Sequence, residues 1–419
     1  MITIAVAVLL VAMSAMPGSF VGVGPVAADE EPFVVTFLFA DHWNDEGWNM
    51  AHKTGVDQLL SLGELIDEDD LSFTIKIDGD KYPELDGRIL EVNLVTDVGY
   101  GSEIEGIMQK ALETQKPDLL FATWWNSKDA VTELAPRYPD VKFEHCSGYP
   151  VIKSDDFSDG NVATYFVKME DSDYAAGYAA GLLGYDKVGL VATYPIPEPL
   201  RGVNAFALGL KKGLAEAGND PDEAEIQVIW IESWLDIQKE QLATETLLGM
   251  GYETIRQMPD TPTTSLTACN ENANVLGYGS DVLPKAPCAL VSNVWQWGNY
   301  YTQRVLDAMR DEWTPQDWFE GWDEDGMGLV WNPDAPPDIR QKTEALVEEM
   351  REGTSDPFTG PIEGKGLDED GEEITIEVPA GYKVGDMGRL TMQWLATGVI
   401  SPMPAFPSGG HDLDLIEVK

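Results

Sequence analysis

From Phe33 onward the chain alternates short apolar runs with stretches of helical period, and it does so twice over. In the first series, apolar runs at residues 34–39, 89–94, 119–123 and 141–145 are separated by helical stripes. One stripe carries Ala51, Val56, Leu59 and Leu60, and another carries Ile104, Ile107, Met108 and Ala111. Spacings of three and four place such residues on one helix face. A continuous apolar run without alternation suits a strand buried on both faces. Repeated strand–helix alternation therefore predicts a parallel sheet covered on both sides. After a polar, Gly-containing stretch at 154–161 the series restarts. A small-residue helix at 175–181, which lets backbones approach closely, precedes a strand at 188–194. A stripe of Val203, Phe206, Ala207, Leu210 and Leu214 follows, then strands at 226–231, 254–258, 275–278 and 290–295. The last hundred residues are less regular, with a helix at 337–351 and a hairpin loop at the acidic turn 368–371. The predicted fold class is α/β with two lobes, each a doubly wound parallel sheet. A length of 419 residues, 43% of them hydrophobic, accommodates two lobes of about 150–200 residues each.

The predicted strands end in loops rich in Trp, Asp, Asn or Arg. The first ends in Asp41-His42-Trp43-Asn44-Asp45-Glu46-Gly47-Trp48-Asn49, a later one in Trp124-Trp125, and another in Pro197-Glu198 with Arg201. Ligands of open α/β sheets sit outside the carboxyl ends of the strands. Aromatic faces with a few polar groups at those ends describe a site for a flat, polar small molecule. Asp45 suits a helix N-cap, because its carboxylate accepts from free backbone N–H groups, whereas Asn44 is assigned to ligand contact. If the strand continues through Trp124 and Trp125, they point in opposite directions and at most one of them faces the cleft. Glu198 and Arg201 read as an ion pair that shapes its loop, and Trp295 and Trp297 as packing near a hinge.

The 73 Asp and Glu against 27 Lys and Arg give a net charge of −46. That excludes a nucleic-acid partner, since phosphate attraction needs a basic surface. The acids are spread along the chain, as in a solvated acidic shell suited to concentrated salt. Residues 2–28 are almost free of charge and end in Val26-Ala27-Ala28 before Asp29, which reads as a signal peptide over residues 1–28. Later stretches fall short of the ~20 apolar residues of a membrane span. The expected product is exported, periplasmic or extracellular, with no lipobox cysteine. Of the three cysteines, Cys269 and Cys288 either pair or stay reduced and buried, and Cys146 is left over. The four histidines, at 42, 52, 145 and 411, show no metal-ligand spacing, so neither a metal nor a cofactor is expected.

Four stretches occurring in order carry a resemblance. They are Asp45-Glu46-Gly47-Trp48-Asn49, Tyr138-Pro139-Asp140-Val141-Lys142-Phe143-Glu144-His145, Arg201-Gly202-Val203-Asn204-Ala205-Phe206 and Pro357-Phe358-Thr359-Gly360-Pro361-Ile362. From about Phe33 to Trp394 the chain resembles the basic membrane protein family, substrate-binding proteins of ABC importers with a type I periplasmic binding fold. The resemblance implies an N-terminal lobe over 30–160 with a return at about 293–320, and a C-terminal lobe over 161–292 with about 325–410. It implies a monomer that binds a purine nucleoside or nucleobase and docks on an ABC transporter permease. Some relatives bind riboflavin, which is the alternative ligand.

The resemblance also implies the site. Asp41, Trp43, Asn44 and Trp48 would hold the base by stacking and edge hydrogen bonds, with Trp124 at its strand end. Phe166, Trp234, Asp260 and Asp281 fall on matching positions of the second series. Asp281 would meet the sugar hydroxyls, because a carboxylate accepts from two vicinal OH groups. No nucleophile elbow or phosphate-binding loop occurs, and carboxylate pairs carry no information in so acidic a chain. The chain therefore reads as a binder rather than an enzyme. A signalling receptor and, last, a secreted nucleoside-processing enzyme are the other classes considered.

Overall fold

The computed structural model describes residues 31–147, 160–368, 370–402 and 413–418. The expected signal peptide and most of the stretch 154–161 lie outside the described residues. The first lobe begins with β1 (Phe33–Leu38), α1 (Trp48–Asp57), β2 (Gly63–Asp69), β3 (Ser72–Ile77) and β4 (Ile89–Val95). It continues with α2 (Ile104–Thr114), β5 (Leu119–Ala122), α3 (Lys128–Leu134), β6 (Lys142–Cys146) and β7 (Val162–Val167). The chain then enters the second lobe through α4 (Met169–Leu182), β8 (Lys187–Ala192), α5 (Pro197–Ala217) and β9 (Glu225–Trp230). That lobe adds α6 (Ile237–Gly249), β10 (Thr254–Gln257), α7 (Thr263–Asn270), β11 (Asn274–Gly277) and β12 (Ala289–Trp295). Next, α8 (Gly298–Met309) and β13 (Asp317–Glu320) return to the first lobe, and β14 (Met327–Trp331) crosses back.

The first sheet has the order β13-β7-β6-β5-β1-β4-β3-β2, and the second runs β14-β12-β11-β10-β8-β9 before a last short edge strand, Val399–Ile400. Pairing is parallel except at the β2–β3–β4 edge and between β12 and β14. β7 pairs with β6 and β13, so the first sheet extends through Val167, beyond the boundary expected at residue 160. Likewise β12 pairs with β11 and β14, which places residues 293–295 in the second sheet. The β2–β3 hairpin was not anticipated, although Ser72–Ile77 alternates intermediate and buried positions along its first four residues, as a strand with one face turned to the core does.

β1, β5 and β7 are buried along almost their whole length, as strands covered on both faces require. The small-residue helix packs as its composition predicts. A Cβ on Gly177 or Gly181 of α4 would fall on the backbone of α5, and one on Gly209 or Gly213 of α5 on the backbone of α4. The C-terminal residues build an antiparallel sheet of β15 (Ile362–Leu367), β16 (Glu373–Val378) and β17 (Trp394–Ala396), preceded by α9 (Pro337–Arg351). Asn204 of α5 fastens that sheet: its amide donates to the Trp394 carbonyl at 2.8 Å and accepts from the Ala396 N–H at 2.8 Å. Cys269 and Cys288 are joined in a disulfide, with Cα atoms 5.7 Å apart, and Cys146 is buried and free.

Candidate functional site

The carboxyl ends of both sheets open onto one cavity of about 310 Å³. Its first-lobe wall starts with Trp48, the first residue of α1. Asp45 caps that helix, accepting from the Asn49 N–H at 2.8 Å and the Met50 N–H at 2.9 Å. This fixes where the Trp48 ring leaves the backbone. The Trp48 indole donates to the Thr123 carbonyl at the end of β5, at 3.0 Å. Its ring meets Trp295 edge-on at 5.3 Å and lies nearly parallel to Phe166 at 6.3 Å. Trp124 and Trp125 both line the cavity. The strand ends at Ala122 and the chain tightens into a 3-10 turn at Trp125–Ser127. The opposite orientation expected of a continuing strand therefore does not arise.

The second-lobe wall consists of Trp234, which meets Tyr194 edge-on at 5.0 Å, with Tyr278, Glu198 and Asp260. The Asp260 N–H donates to the Trp234 carbonyl at 3.0 Å, which ties two strand-end loops together. Glu198, at the start of α5, accepts from the Tyr278 hydroxyl at 3.3 Å. Arg201 does not pair with Glu198 as the sequence suggested. Its Nε donates to Glu170 of α4 at 3.0 Å, and its guanidinium lies 5.3 Å from the Phe166 ring. The crossing segments add Trp295 and Phe319. Trp295 thus has a face on the cavity besides its parallel stack on Trp297, 5.2 Å away. The indole N–H groups of Trp124 and Trp295 are buried with no partner among the described residues.

Burial sets the electrostatics. It pushes Glu198 up to about 7 against the pull of Arg201, with Asp173 and Glu170 adding to the rise. Burial also raises Asp260 well above the usual carboxylate range, reinforced by the negative charges of Asp45, Glu198, Glu240 and Asp41. Behind the wall, burial holds the His52 imidazole well below its usual pKa. Its Nδ1 shares a hydrogen bond of 2.5 Å with the Tyr301 hydroxyl. The arrangement can clamp a flat ring between aromatic faces and offer carboxyl oxygens to its edge.

Residues 33–352 match the Bmp family, described as ABC transporter substrate-binding protein PnrA-like. The chain belongs to this family. A purine-binding protein of Brucella abortus is 27% identical over 384 residues, covering 91% of this chain and 97% of that protein. A putative ABC transporter glucose-binding protein of Haloferax volcanii is 27% identical over 247 residues, covering 58% of this chain and 59% of that protein. Among solved structures, an ABC transporter solute-binding protein from Aeropyrum pernix superposes with a TM-score of 0.60 at 16% identity, covering 81% of this chain and 95% of that one. One from Conexibacter woesei reaches 0.55 at 16% identity, covering 77% and 97%. The fold is the two-lobe type I binding-protein fold.

Within this family fold, the cavity gathers Trp48, Trp124, Phe166, Trp234 and Asp260 from the residues singled out by sequence. It does not gather the others. Asp41 lies beside it and accepts from the Tyr100 hydroxyl at 2.5 Å. Trp43 packs on His42, with ring centroids 4.0 Å apart, and Asn44 is exposed. Asp281 is exposed in a neighbouring groove, where its carboxylate accepts from the Leu283 N–H at 3.0 Å. Tyr278 closes the apolar run recognised at 275–278 and was legible as a strand-end residue. Phe319 was not, because β13 reaches the site from a distant part of the chain.

Proposed function

We propose that this protein is an exported receptor that captures a purine nucleoside or nucleobase by closing its cleft, and hands it to an ABC importer. The observation that carries the reading is the aromatic cavity between the lobes, with Trp48, Trp124, Phe166 and Trp234 on its walls and carboxyl groups at its edge. Aromatic faces select flat rings, and carboxyls accept from ring N–H, amino or ribose hydroxyl groups. The purine-binding name of the Brucella abortus relative supports the same choice. In this reading Asp260, not Asp281, supplies the carboxylate that meets the ligand. Within type I folds, closure is a hinge motion about the crossing segments.

Intrinsic fluorescence tests the ligand class, because a base stacked on Trp48 or Trp124 quenches indole emission. Titration with adenosine, guanosine or adenine is expected to quench saturably at micromolar concentration or below. Mass spectrometry of the small molecule that co-purifies should return a purine. Saturation by glucose alone, or by riboflavin alone, overturns the purine assignment.

A further inference from the structure

The charge in the cavity is one-sided. Among the described residues, three carboxyl side chains line it, Glu198, Asp260 and Asp317, against one cation, Arg201. That cation is already committed: its side chain is 4% exposed and its Nε donates to Glu170. Asp317 accepts from the Thr164 hydroxyl at 2.8 Å. The Asp260 carboxyl accepts no hydrogen bond from the described residues. Acids of both lobes, Asp45 and Asp41 of the first and Glu198 and Glu240 of the second, act together with burial to raise its pKa. In its ionised form a half-buried carboxyl in that position is satisfied by a group that donates hydrogen bonds, whereas an anion beside that form adds repulsion.

We propose that the cavity selects by charge: it accepts an uncharged or cationic ligand bearing hydrogen-bond donors, and it rejects phosphorylated and other anionic forms, with Asp260 as the deciding residue. This rests on the cavity being the purine site proposed above. The donor facing Asp260 is either an amino or ring N–H group of the base or a ribose hydroxyl. Closing the cleft strengthens the selection, because it sets Asp41 and Asp45 of the first lobe against Asp260 and Glu198 of the second. An uncharged donor relieves that contact; a phosphate worsens it.

The net charge of −46 repels anions from the whole surface in dilute buffer. In about 1 M salt that long-range field is screened within about 3 Å, whereas charges inside a closed cavity are screened much less. Calorimetric titrations in molar salt at pH 8, above the value of about 7 to which burial raises Glu198, therefore isolate the cavity. Wild-type protein is expected to bind adenosine at least about 100-fold more tightly than adenosine 5′-monophosphate, as like-charge juxtaposition implies. The cationic 5′-amino-5′-deoxyadenosine should bind about as well as adenosine. In Asp260→Asn, and in Glu198→Gln as a second variant, the gap should narrow about tenfold or more through gained affinity for the monophosphate. Loss of adenine and adenosine affinity together places the donor on the base, and loss of adenosine affinity alone places it on the ribose; both support the proposal. Equal binding of the monophosphate by wild type overturns it. So does an unchanged gap in both variants, or rejection of the 5′-amino compound, which would indicate exclusion by size. If no purine binds but glucose does, the function above falls. Charge selection then stands or falls by itself on glucose against glucose 6-phosphate.

Discussion

Arg256 is wholly buried beneath the cavity wall. Its guanidinium donates to the Asp173 carboxylate and to the Gly277 carbonyl, and lies 5.2 Å from the Tyr278 ring. Asn293 of β12 donates to the same carboxylate at 3.2 Å. One carboxylate of α4 thus holds together β10, β11 and β12, the strands whose ends carry Asp260, Tyr278 and Trp295. Removing it leaves a guanidinium in the core without its counter-charge. Asp173→Ala should lower unfolding stability by about 3–5 kcal/mol in urea titrations. Glu344→Ala, which breaks an ion pair with Arg340 whose side chains are both about half exposed, should cost roughly 0–1 kcal/mol. Equal losses would show that the Asp173 pair carries no special weight.

At the scale of elements, the lips of the cleft are loops from opposite lobes. Glu46 adopts φ +61°, and its carbonyl accepts from the Ser280 hydroxyl while its carboxylate pairs with Lys285 at 3.0 Å. Next to it, a Cβ on Gly47 would fall on the Asp260 carbonyl oxygen. Gly47→Ala should therefore hold the lips apart without disturbing either sheet. Stability should change by less than about 0.5 kcal/mol. Ligand affinity should fall about 10–100-fold, mostly through faster release, as the closed state becomes a minor population. Stopped-flow fluorescence reads the release rate, and an unaltered rate would show that closure does not use this contact.

For the whole molecule, the acid load predicts how stability responds to pH and salt. Burial raises Asp171 to about 7, Asp173 to about 6, Glu198 to about 7 and Glu240 to about 7, from ordinary values of 3.8 for Asp and 4.5 for Glu. Each group binds a proton more readily folded than unfolded. Its contribution is therefore complete below the unfolded pKa and lost as pH rises through the folded one. Stability should rise as pH falls from about 8 towards about 5. Asp356 works the other way: Arg389 and Lys383 hold it below the usual range, against the opposing effect of burial. Its contribution is lost at lower pH still, so the maximum lies near pH 5 rather than in stronger acid. Screening of a net charge of −46 should also raise the melting temperature at pH 8 in molar salt, and raise it less at pH 5. Scanning calorimetry at both pH values checks both trends, and a melting temperature that falls on going from pH 8 to pH 5 contradicts the first.

Local pattern was enough for most elements of the two strand–helix series and for the family, though not for the β2–β3 hairpin or β13. The stripe from Val203 to Leu214 and the apolar runs at 119–123 and 275–278 depend on residues near one another, and each became the expected helix or strand. Asp45 as a helix cap and the close packing of Gly177 and Gly181 were legible for the same reason, since capping and backbone approach follow from residue type and spacing. Only the tertiary structure decided which strand-end residues meet. Trp48, Trp124, Phe166, Trp234 and Asp260 converge because two sheets face each other, while Trp43 packs on His42, and Asn44 and Asp281, in loops of the same composition, are exposed. Arg201 took Glu170 instead of Glu198 because α4 packs against α5, a contact no spacing in the loop encodes. A strand pattern records which face of the chain is dry. It does not record what the neighbouring lobe brings to that face.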